Sequence, residues 1–170
     1  MNETNPDNRE RGQTAVEELL PYAVLIRGAV CDGFPFGQMY EEKLHELFLA
    51  EPGNPDYLEL ELMGNDLPKS ICYLWNHINW LRFDQARFGR ALMGLIRPVY
   101  HSMDIRSFSS WAYCVWESLP GGLQNTEPFF SLCYADAPLS WGDEAQSRGL
   151  YEKMLSFYDS PEAGTDGTEV

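Results

Sequence analysis

Apolar side chains recur at intervals of three and four along most of this chain, and at intervals of two in one short stretch. From Val16 through Leu19, Leu20, Ala23, Ile26 and Val30 the spacing is that of one helical face. Thr14 stands at the N-cap position, Glu17 completes a capping box, and Pro21 predicts a kink. The stretch CDGFPFG breaks the pattern. Residues 38–50 resume it, with Met39, Leu44, Leu47 and Phe48 set against Glu41, Glu42, Lys43 and Glu46, until EPGNP ends the helix. In YLELELM, residues 57–63, Leu58, Leu60 and Leu62 alternate with Glu59 and Glu61. That alternation predicts a strand with one buried face and one anionic face.

After Gly64-Asn65, Asp66 as a cap and Pro68 in the first turn predict a helix that holds CYLWNHINWLRF and ends near Phe83. Wound at about 100° per residue, Ile71, Leu74, Trp75, Ile78 and Leu81 share its core face. Cys72, Trp80 and Phe83, interleaved with Asn76 and Asn79, take the opposite face. A further helix is expected over residues 84–101, bent at Pro98. Residues 105–119 fit helical spacing at Phe108, Trp111, Ala112, Val115 and Leu119 and stop at LPGG. PFFSLCY, residues 128–134, reads as a second strand, and Ser140 is expected to cap a last helix carrying Leu150, Met154, Leu155 and Phe157. The predicted fold class is α+β, predominantly α, with about six helices packed on a small two- to three-stranded antiparallel sheet.

The polar residues 1–13 and the Pro/Gly/acidic residues 159–170 read as disordered tails around a single globular domain, residues 14–158. A length of 170 residues with 44% hydrophobic content supports one sizeable core. No apolar run reaches the roughly 18 residues needed to cross a bilayer. The first residues, MNETNPDNRERGQ, lack the apolar stretch of a signal peptide, so a cytoplasmic location is expected. Cys31, Cys72, Cys114 and Cys133 are widely spaced among apolar neighbours and read as reduced core thiols.

Charge is the strongest global signal. Twenty-six acidic residues against twelve basic ones leave a net charge of −14. Residues 1–50 carry −5, residues 51–103 carry −1 and residues 104–170 carry −8. Such a field repels nucleic-acid phosphates and anionic lipids and draws in a cationic partner. No nucleic acid and no membrane are therefore expected as partners.

Several clusters are candidates for chemistry. Trp80 and Asn76 belong to residue types favoured at binding surfaces, although burial within the domain is the commoner fate of a tryptophan. His77, on the margin of the core face near Tyr73, reads as a satisfied structural group. In EEKLHE, Glu42 and His45 share a helical face beside Glu46, but the Glu-x-x-His spacing occurs once, so no metal site is expected. Arg82, Arg87, Arg90 and Arg97 fall within sixteen positions, and the last three share one helical side near Ala91 and Gly94. They suit either an anion ligand or internal carboxylates. Asp143 and Glu144 are explained by the helix dipole. No nucleophile elbow, phosphate loop, dinucleotide fingerprint or zinc-protease signature occurs, so neither a catalytic residue nor a cofactor is assigned.

Three functional readings follow. The first is an acidic protein-binding module of the immunity or antitoxin type, which neutralises a basic partner such as a toxin or nuclease. Its contacts would be Glu41, Glu42, Glu46, Glu59, Glu61, Asn76 and Trp80. The second is an enzyme or small-anion binder that uses Arg87, Arg90 and Arg97 with His77 or His101. The third is a DNA mimic, against which the near-neutral middle third counts. A homodimer is also open.

Overall fold

The computed structural model describes residues 6–28 and 33–159, with side chains described from Val16 onward. It is all-helical: α1 Pro6–Gly28, α2 Phe36–Ala50, α3 Pro55–Met63, α4 Leu67–His77, α5 Gln85–Ser102, α6 Ile105–Glu117, α7 Ser131–Tyr134 and α8 Glu144–Leu155, with a 3₁₀ turn over Ala137–Trp141. The described residues contain no strand, so the α+β expectation is overturned.

The reason is legible at α3. Asn54 caps it by accepting the Asp56 N–H at 3.0 Å, Pro55 opens it, and Gly64 at φ +56° closes it. A segment so punctuated becomes a helix whatever its alternation, because the cap satisfies an amide that a strand would leave to a partner. Tyr57 and Leu60, three apart, are buried, whereas Leu58 and Leu62, four apart, face solvent. The other expected strand, residues 128–134, is a chain of tight turns ending in α7. The amides of Phe130, Ser131, Leu132 and Cys133 bond carbonyls three or four residues back. Glu127 anchors this turn by accepting the Ser131 hydroxyl at 2.8 Å and the Tyr134 hydroxyl at 3.2 Å.

Other boundaries also move. α1 begins at Pro6 and runs through Thr14, so Thr14 is not its cap. Val30 and Cys31 lie outside the described residues, as does the tail from residue 160. α4 ends at His77 and not near Phe83, because Ile78 is extended. Asp143, not Ser140, caps α8 by accepting the Gln146 N–H at 2.9 Å, while the Ser140 hydroxyl donates to the Ala137 carbonyl. Cys72 is exposed and Cys114 and Cys133 are half-buried, so these three thiols are free but are not core residues. The expected caps at Asp66 and the helices over residues 38–50, 84–101 and 105–119 are present within a residue or two.

The chain divides into two compact units, one of residues 1–26 and 35–84 and one of residues 27–34 and 85–170. In unit 1, α2 packs on α3 and α3 on α4. Its core holds Val16, Leu19, Leu20, Ala23, Val24 and Leu25 of α1 with Phe36, Tyr40, Leu44, Tyr57, Leu60 and Leu74. In unit 2, α5 and α6 pack together, α5 on α8 and α6 on α7. Its centre is aromatic: Phe108 meets Tyr151 edge-on at 4.9 Å and Tyr100 at 5.0 Å. Asp104 starts α6 by accepting the Arg106 and Ser107 amides, and the Ser107 hydroxyl above all holds its carboxyl below the ordinary range.

Candidate functional site

All seven expected contact residues lie in unit 1. The α2–α3 hairpin is tied by the 3.5 Å approach of His45 Nδ1 to Glu61 Oε1. Amphipathic α2 turns Leu44 inward and leaves Glu41, Glu42, His45 and Glu46 exposed. On α3, Glu59 is exposed and Glu61 half-buried. Residues 35–84 hold nine acidic side chains and three basic ones, a net charge of −6. The only lysine of the hairpin, Lys43, is already engaged, at 3.0 Å from Glu46 and 3.7 Å from Glu18. Glu42 accepts from Gln38 at 2.8 Å, while Glu41 and Glu59 form no ion pair among the described residues.

The negative field registers on the tyrosines beneath. Burial pushes the Tyr40 hydroxyl up to about 12; Ser70 partly offsets this, and the charges of Glu61 and Glu41 add to it. Tyr73 is raised well above the ordinary phenol by burial first, then by its 2.7 Å bond to Asp56 and the charge of Glu59. His77 stacks on the Tyr73 ring with centroids 3.8 Å apart, and its Nδ1 lies 2.8 Å from the Tyr73 carbonyl. The histidine is thus fastened to its own helix on one side and open to water on the other.

Because α4 stops at His77, Trp80, Leu81 and Phe83 sit on the following loop and not on one helical face with Asn76. Trp80 leans on Trp75 at 6.5 Å and on Phe83 at 5.3 Å, yet is 42% exposed. Leu81, expected in the core, is 97% exposed. The Asn79 side chain accepts the Leu81 N–H at 3.1 Å and folds the loop into an Asx turn that holds both residues outward. Asn76 is exposed, and its amide reaches only Cys72 at 3.6 Å. Helical periodicity missed the loop. The Asn-x-Leu turn is the signal that would have found it.

The arginines are placed differently. Arg82 belongs to unit 1, and Arg87, Arg90 and Arg97 to unit 2. Arg97 donates to the Leu155 carbonyl and to Asp159, each at 2.8 Å, and Arg90 lies over the Tyr158 ring at 6.0 Å. His101 is exposed beside Tyr100, with ring centroids 5.4 Å apart. Within unit 2, therefore, Arg90 and Arg97 are turned to the chain's own groups. No group of three metal-ligating side chains occurs among the described residues, and none of the described helices is long and apolar enough to cross a membrane. No family model, curated protein or solved structure matches this chain.

Proposed function

We propose that this protein is a binding module for a cationic protein, in the manner of immunity and antitoxin proteins, and that unit 1 carries the contact surface. The observation that carries this reading is the pairing, on residues 35–84, of a net charge of −6 with large apolar side chains left in water, Trp80 and Leu81 among them. Carboxylates in threefold excess over cations steer a basic partner into encounter, and desolvated aromatic anchors then hold it. A fold that merely needed solubility would place its acids without leaving large apolar side chains in water in the same unit. Glu41, Glu42, Glu46 and Glu59 supply steering, Trp80 and Leu81 supply anchoring, and Asn76 offers an amide at the rim.

The test is capture by the immobilised chain from a lysate of its own cells, followed by binding kinetics with each retained protein. Retained proteins are expected to be basic, and the association rate to fall at least tenfold as salt shrinks the screening length from about 30 Å to about 8 Å. The quadruple variant Glu41→Gln/Glu42→Gln/Glu46→Gln/Glu59→Gln is expected to lose most of that salt dependence. Capture of no basic protein, or a variant that associates as fast as the parent, overturns the reading.

A further inference from the structure

The α2–α3 hairpin exposes more apolar surface than its own packing explains. Leu49 of α2 is 64% exposed, and Leu58 and Leu62 of α3 are 48% and 74% exposed. The His45–Glu61 contact fixes the register of the hairpin. One turn from that contact toward the connection stand Leu49 on α2 and Leu58 on α3, and next to Glu61 stands Leu62. Leu58 and Leu62 form one i, i+4 ridge, the unit from which helix-on-helix packing is built. Around these leucines the hairpin carries Glu41, Glu42, Glu46, Glu59 and Glu61, and its sole lysine is engaged with Glu46 and Glu18.

Resting on the cationic-partner reading, we infer that this face docks a basic amphipathic helix of the partner, whose apolar stripe covers Leu49, Leu58 and Leu62 while flanking lysines or arginines meet the glutamates. The charge selects among occupants. A second copy of this chain brings the same negative hairpin, the acidic residues 159–170 bring the same sign again, and an anionic lipid surface is repelled alike. An extended peptide adding to a sheet requires a free strand edge, and the described residues contain no strand. A helix laid into a two-helix surface needs only ridges and an apolar stripe, and supplies its own backbone hydrogen bonds.

The experiment titrates the full chain with an amphipathic leucine–lysine peptide of about five helical turns, and with a scrambled peptide of the same composition that lacks the stripe. Calorimetry reads affinity, and circular dichroism reads helix gained by the peptide. The parent is expected to bind the amphipathic peptide at least tenfold more tightly than the scrambled one. Leu58→Ser/Leu62→Ser is expected to remove that preference without altering the chain's own dichroism, since both side chains are exposed. Undiminished preference in the serine variant overturns the inference, as does a dimer of the parent in sedimentation that the same variant converts to monomer. Equal binding of both peptides, abolished by the quadruple glutamine variant, overturns the helix while leaving the cationic-partner reading standing. Failure of both peptides together with capture of no basic protein overturns the two at once.

Discussion

Residues 35–84 and residues 85–159 differ less in fold than in what they do with their charges. The second stretch carries eight acidic and six basic side chains, and three of its arginines close on groups of their own unit. Arg97 closes on Leu155 and Asp159, Arg148 on Glu144 at 2.7 Å, and Arg90 on Tyr158. The first stretch carries nine acids against three bases and leaves Leu49, Leu58, Leu62, Trp80 and Leu81 in water. Among the described residues unit 2 exposes the aromatics Tyr113, Phe130 and Trp141 but no leucine, and Tyr113 lies against Trp116 and Phe130 against Tyr134 as Trp80 does against Trp75 and Phe83. Local self-sufficiency marks a region whose task is to hold itself together. A surplus of one charge sign together with uncovered leucines is what the proposed docking surface requires.

That contrast is sharpened first in the cores. Phe108 is fully buried between Tyr100 and Tyr151, so Phe108→Ala is expected to cost about 3–5 kcal/mol. Leu60, equally buried on α3, is expected to cost about 2–5 kcal/mol as Leu60→Ala. Denaturant unfolding followed by circular dichroism measures both. If Leu60→Ala proves neutral, the comparison breaks, because α3 would then be loosely held and its exposed leucines uninformative.

Gly89 tests how unit 2 closes. A Cβ there would collide with the Tyr158 ring, which is buried against the glycine and stacked by Arg90. Gly89→Ala is expected to destabilise by about 1–3 kcal/mol through that overpacking. Because the clash and the contact are the same pair of groups, Gly89→Ala/Tyr158→Ala is expected to cost less than the sum of the two singles. A strictly additive double variant would mean that Tyr158 does not rest on this helix.

Alkali probes both units at once. Burial pushes Tyr40 of unit 1 and Tyr151 of unit 2 each up to about 12, against about 10 in an unfolded chain. A raised folded value means that the neutral hydroxyl is the form folding favours. Stability is therefore full below pH about 10 and is lost as pH rises toward 12, by about 2–3 kcal/mol for each group. Tyr40→Phe and Tyr151→Phe are each expected to flatten part of that fall when unfolding free energy is measured across pH 9 to 12. The two variants differ in cause: Glu61 and Glu41 contribute at Tyr40, whereas Asp136 is the first charge to add at Tyr151. High salt is accordingly expected to soften the Tyr40 part through the exposed Glu41.

The features legible beforehand were those with a local cause. Asp66 with Pro68 announced α4, LPGG announced the end of α6, and the apolar spacing of residues 38–50 announced α2, because caps and helical faces are written within a few residues. The misreadings share a different cause. Leu58-Glu59-Leu60-Glu61-Leu62 fits a period of two, and only the caps at Asn54 and Gly64 reveal that the backbone is helical. The acidic excess is legible as composition, but helical periodicity places Leu81 in the core, because Ile78 gives no sign in sequence that its backbone turns extended and ends α4. The commitments of Arg97 and Arg90 were also hidden, since Leu155, Tyr158 and Asp159 stand some sixty residues away.

The smallest expected effect checks the helical register of residues 57–63. A strand would place Leu58, Leu60 and Leu62 on one face, and truncating any of them would cost alike. The helix divides them. Leu62→Ala removes a side chain already in water and is expected to change stability by no more than about 0.5 kcal/mol, with Leu58→Ala close behind. Near-neutrality beside a costly Leu60→Ala fixes the helical register, because no strand buries the middle of three alternate residues and spares both neighbours. It also leaves the two outer leucines without a structural reason, which is what a docking ridge requires. Equal costs at all three positions would mean that something covers the outer face in the free protein, and the difference between the two regions would then be one of composition alone.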